Sequence, residues 1–173
     1  MASHGFLVVP NGPPNGTGNT NAQYQRDAST WIHAHAGAPG RYSGVDVSRM
    51  AAAGQSCGGL ETYAQRDNPL VSYLGIFNSG FLPGGADNPN LPDGTNNEDP
   101  ATIGEVHKPV VYCLGGPTDI AYENPNGGAF GVAAVQWLQW VLQKNETAGK
   151  FFTAGGAQQA NWTEVESEGL DAL

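Results

Sequence analysis

With 173 residues, the chain is long enough for one domain with a real core, but Gly (25) and Pro (12) make up about a fifth of it, so much of its length must be loop and turn. A formal net charge of −9, with only seven Lys and Arg, excludes a nucleic-acid binder, which needs clustered cations, and equally speaks against docking on anionic lipid. No apolar run approaches the roughly 18 residues of a membrane-spanning helix, and a neutral or weakly polar small molecule is the partner class these totals leave open.

Met1-Ala-Ser-His4 leads directly into the apolar run Gly5 to Pro10, which predicts a buried strand with no signal peptide ahead of it. Asn11 to Thr20, rich in Gly, Asn and Pro, is irregular. Asn21 to Ala36 has helical spacing, with Tyr24, Ala28, Trp31, Ile32 and His35 on the expected buried face, and Gly37-Ala-Pro-Gly40 ends it. Met50 to Ala53 predicts a second strand, Gly54 to Gly59 a sharp turn, Leu60 to Gln65 a helix, and Val71 to Phe77 a third strand. Asn78 to Asp99 reads as a long polar loop and Pro109 to Leu114 as a fourth strand, ending in Gly115-Gly-Pro-Thr-Asp119. Val132 to Leu142 is the best helix, with Val132, Val135, Leu138, Val141 and Leu142 on one stripe and Trp137 and Trp140 beside it, and a polar tail follows from Thr153. Strands alternating with helices predict an α/β fold, a mostly parallel sheet of about four strands flanked by helices, in a single domain over residues 1–173.

Gly54-Gln-Ser56-Cys-Gly58 lies between a short apolar strand and a helix, the setting in which Gly-x-Ser-x-Gly places a nucleophilic serine. A serine at the tip of such a turn is held in a strained backbone conformation that only small neighbours tolerate, and Gly54 and Gly58 are expected to let strand and helix approach. The N–H of Cys57, at the start of the helix, is the expected oxyanion donor. Serine needs a base and the base a carboxylate, in the chain order serine, acid, histidine. Asp119, just past the fourth strand, fits the acid. The two cysteines form no metal-ligand pattern, and no metal or cofactor is expected. Each reads as a small packed hydrophobe near a strand end, with a Cys57–Cys113 disulfide left open.

Ser3-His-Gly-Phe-Leu-Val-Val, Gly16-Thr-Gly-Asn-Thr-Asn-Ala-Gln-Tyr24, Gly54-Gln-Ser-Cys-Gly-Gly, Gly75-Ile-Phe-Asn-Ser-Gly80, Leu114-Gly-Gly-Pro-Thr-Asp-Ile-Ala-Tyr122 and Pro125-Asn-Gly-Gly128 resemble, in order and over nearly the whole chain, blocks of a family of secreted fungal α/β-hydrolases related to dienelactone hydrolases, cutinases and platelet-activating-factor acetylhydrolases. The resemblance implies an ester or acyl hydrolase with Ser56 as nucleophile and Asp119 as triad acid, acting on a small-molecule ester and secreted. The sequons Asn15-Gly-Thr17, Asn145-Glu-Thr147 and Asn161-Trp-Thr163 accord with secretion.

Two departures stand beside the match. The family's further leading strands, with the loop that supplies a second oxyanion N–H, have no counterpart here. Its Gly-His-Gly segment is missing too, because Asp119 runs through Asn124 straight into Pro125 without a histidine. His4, His33, His35 and His107 read as surface or packing residues, with His33 and His35 two apart and off a common helical face. The expectation is therefore a partial α/β-hydrolase domain whose activity is weak or lost. The competing readings are a non-catalytic remnant that binds a small apolar ligand or a protein partner, and a chain that does not fold stably alone because its leading strand is an unprotected apolar edge.

Overall fold

The computed structural model describes residues 1–12, 21–91, 95–115 and 124–166. The chain forms two compact units, one drawn from Phe6–Leu114 and the other from Gly115–Leu173 with Ser3–Gly5.

The first unit is an α/β assembly around a parallel sheet of three strands, β1 (Ala51–Gln55), β2 (Tyr73–Phe77) and β3 (Val110–Cys113), in the order β1-β2-β3. Ala51 pairs with Tyr73 and Leu74 with Val110, so the three strands finish level at Gln55, Phe77 and Cys113. β2 has a neighbour on each edge, and its Leu74 and Ile76 are wholly buried. With side chains alternating, Gly54, Ile76 and Tyr112 share one face, and helix α2 (Cys57–Tyr63) lies against β1 and β2.

Among the described residues the sheet has three strands where about four were expected, because Gly5–Pro10 is not one of them. A strand exists through its ladder with a neighbour, and this segment has none: Leu7, Val8 and Val9 are each 47 % exposed. Apolar composition alone therefore misread it.

Helix α1 (Ala22–His35) starts at Asn21, whose side chain accepts from the N–H of Gln23. Its buried face matches the expected one only in part, at Ile32 and the half-buried Ala28. Ala22 and Ile32 are buried, whereas Tyr24 and Trp31 are exposed, and His35 stacks on Trp31 at the surface. The cause lies in the partner. α2 and the turn after it present buried polar side chains, Thr62, Gln65 and Asn68. Gln65 Nε2 donates to Ala22 O (3.0 Å), Gln25 Nε2 to Thr62 Oγ1 (3.2 Å) and Asn68 Nδ2 to Ser29 Oγ (3.1 Å), while Arg26 pairs with Asp67. Buried polar groups must be matched, so the polar side of α1 turns inward.

The segment between β2 and β3 is ordered by polar anchors rather than by apolar periodicity. It carries short 3₁₀ turns at Gly85–Asp87 and Pro100–Glu105. Arg66 holds Glu98 through two hydrogen bonds of 3.0 and 2.9 Å and also reaches Glu105. The Glu98 carboxylate, with Glu105 behind it, keeps the Arg66 guanidinium charged above its ordinary range despite partial burial. The Lys108 ammonium caps the chain after α2 at Gln65 O and Asn68 O, and burial pushes its pKa down. Asn97 is buried: its Oδ1 accepts from Leu82 N (2.9 Å), and its Nδ2 donates to Leu82 O (3.0 Å) and Gly85 O (2.6 Å). Asn97→Ala removes the partner of three part-buried backbone groups, and urea unfolding should show a loss of about 2 kcal/mol.

The second unit is helical: α3 (Gly128–Gln143), α4 (Glu146–Thr153) and α5 (Gly156–Gln159). α3 buries Ala133, Ala134, Trp137, Leu138 and Val141, so Leu138 and Val141 of the expected stripe are in the core, while Val132 is exposed and Trp137, expected beside the stripe, is buried with them. A tryptophan removes the most apolar area when buried, and it sets the helix rotation. Asn145 caps α4 by accepting from Thr147 N and Ala148 N. In the polar tail, Trp162 packs edge-on against Phe130 at 5.4 Å.

Candidate active site

β1 ends at Gln55 and α2 begins at Cys57, so the chain reverses over one residue, Ser56. That residue has φ 54° and ψ −123°, a conformation nearly closed to residues with a Cβ. Holding it costs on the order of 1–3 kcal/mol, and such strain persists only where the surroundings over-determine it.

The surroundings do so here. Ser56 N donates to Phe77 O (3.1 Å), tying the turn to β2. Ser56 O accepts from Gly59 N (2.9 Å) and from Ser79 Oγ (2.6 Å). The Ser56 hydroxyl makes no capping bond to α2, and the residue is exposed. The N–H of Cys57, first in the helix, has no partner inside it. An exposed serine beside a backbone N–H that has no partner within its own helix is an arrangement acyl transfer can use.

The glycines divide the work differently from the motif's expectation. A Cβ on Gly54 would lie 2.0 Å from Gly58 O, so this residue must be glycine for strand and helix to meet. A Cβ on Gly58 would meet nothing within 4 Å, so Gly58 supplies backbone and needs no bare Cα. The second close approach is at Gly59, where a Cβ would lie 2.3 Å from Ser79 Cβ. The Gly58-Gly59 pair in the sequence hinted at Gly59, but no local signal marks Ser79, which is distant along the chain.

The parallel register brings Ser56, Asn78 and Leu114 to the carboxyl end of the sheet, where open α/β sheets hold their ligands. Asp119 lies outside the described residues. His107 precedes β3 and belongs to the opposite, amino end, exposed. His33 and His35 are exposed in the last turn of α1. His4 lies in an exposed 3₁₀ turn of the other unit, not at the start of a strand.

Both cysteines are free. Cys57 is exposed rather than packed, while Cys113 is buried at the end of β3. Burial pushes the Cys113 thiol up to about 12, which keeps it protonated and unreactive at neutral pH. Among the described residues there is no group of three or more His, Cys, Asp or Glu placed to hold a metal ion, and no helix is long and apolar enough to cross a membrane.

In comparisons with known proteins, no family model, no curated protein and no solved structure matches this chain.

Proposed function

We propose that the chain is a serine hydrolase of the α/β-hydrolase type, acting on carboxylic esters or related acyl substrates, with Ser56 as nucleophile, the N–H of Cys57 as oxyanion donor and Asp119 as the acid of the charge system. One observation carries the reading: an exposed serine hydroxyl at φ 54° on a one-residue turn between a parallel strand and a helix. The Ser56 oxygen adds to the acyl carbon, the carbonyl oxygen becomes an oxyanion facing the Cys57 N–H, and the alcohol leaves with a proton. Water then releases the acyl group. With His107 at the opposite end of the sheet and no base assigned, the hydroxyl proton passes to water and turnover is expected to be slow, as for a site lacking its base.

The placement of His107 at the opposite end of the sheet also favours a second reading, a non-catalytic α/β-hydrolase remnant whose Ser56 end of the sheet binds a small apolar ligand or a protein partner. A fluorophosphonate probe separates the two. The enzyme reading expects covalent labelling of wild type, none of Ser56→Ala, and slow p-nitrophenyl acetate hydrolysis lost in the same variant. Equal hydrolysis by both proteins, with no label on wild type, leaves the binding reading.

A further inference from the structure

We propose that Ser79 is a positioning residue that locks the Ser56 turn, an inference that rests on Ser56 being the nucleophile. The carbonyl of Ser56 is the group that a residue at φ 54° and ψ −123° must aim in an unusual direction, and it has two donors. Gly59 N reaches it at 2.9 Å from within the helix, and Ser79 Oγ reaches it at 2.6 Å from the loop beyond β2. The first bond would accompany any helix starting here. The second comes from another strand's loop and ties the turn to the sheet.

Ser79 is itself placed with little freedom. The preceding residue, Asn78, holds a left-handed backbone at φ 44°, and its N–H donates to Cys113 O (2.9 Å), fixing the start of the loop to the end of β3. On the other side, Ser79 lies so close to Gly59 that any Cβ there would strike its Cβ and Oγ, at 2.3 and 2.4 Å. The bare Cα of Gly59 therefore makes the room in which the Ser79 hydroxyl meets the Ser56 carbonyl. Together, the ends of β2 and β3 set the direction of the nucleophile through one side-chain hydroxyl, and a small error in that direction is costly for acyl transfer.

The test uses the full chain and measures the second-order rate of fluorophosphonate labelling of Ser56, well below the melting temperature, for wild type, Ser79→Ala, Ser79→Thr and Ser79→Val. Ser79→Ala is expected to label at least about tenfold more slowly, with ester hydrolysis losing kcat at unchanged KM. Thr and Val have nearly the same shape and differ in the hydroxyl, so Thr is expected to label faster than Val even if both are destabilised. This comparison keeps the test decisive if Ser79→Ala folds poorly. Labelling of Ser79→Ala at the wild-type rate, or equal rates for Thr and Val, overturns the positioning role while leaving Ser56 as nucleophile. A wild type that takes no label overturns both.

Discussion

Gly54→Ala is expected to destabilise the Phe6–Leu114 unit by at least about 3 kcal/mol, at or beyond the usual range for overpacking. The added methyl carbon would sit 2.0 Å from Gly58 O, 2.2 Å from Gly58 C and 2.8 Å from Gly59 N. All three are backbone atoms, so no rotamer change relieves the contact, and either α2 must lift from β1 or the turn at Ser56 must open. The informative control is four residues further along the same motif. Gly58→Ala introduces a methyl into open space at an early helical position, where alanine is the better helix former. It should be neutral or stabilising by up to about 1 kcal/mol. Urea unfolding of the two variants side by side measures the difference. Equal midpoints would mean that β1 and α2 do not meet at Gly54.

The second large effect is a loss of stability in alkali that belongs to Cys113. The thiol is buried at the end of β3, and burial raises it from 9.0 to about 12. Its folded-state pKa thus lies above the unfolded value. The stabilisation is complete below pH 9 and is lost as pH climbs from there through the folded value near 12, because only the unfolded chain gives up the proton. At about 1.4 kcal/mol per pH unit, the span is worth up to about 4 kcal/mol. Tyr112 is also raised to about 12 by desolvation and acts in the same direction, but the residue is 39 % exposed and solvent screens much of the effect. Melting temperatures of wild type and Cys113→Ala should converge as pH rises from 8 to 11, with the wild type falling more steeply. Parallel pH profiles would remove Cys113 from the account. A thiol reagent at pH 8 gives an independent check, since the native chain should expose one reactive thiol, Cys57, and reveal the second on unfolding.

Local chemistry made part of this protein legible in advance. Three of the four expected strands, and the helices around Asn21–Ala36 and Val132–Leu142, follow from short apolar runs, helical spacing and stop signals that act within a few residues. The turn at Ser56 was legible for the same reason, since Gly-x-Ser-x-Gly between a strand and a helix is a short-range steric pattern, and Gly54 was named from it correctly.

What the sequence by itself determined, then, was the alternation of strands and helices and the residue at which β1 hands over to α2. Only tertiary structure decided which faces are buried, because burial depends on the neighbour: α1 turns its polar side toward Thr62, Gln65 and Asn68, and α3 follows Trp137. Only tertiary structure could deny Gly5–Pro10 a place as a strand, since a ladder needs a partner, or bring Ser79 and Gly59 together at the Ser56 turn. Periodicity and composition report what a segment prefers, and pairing between distant segments decides what it becomes.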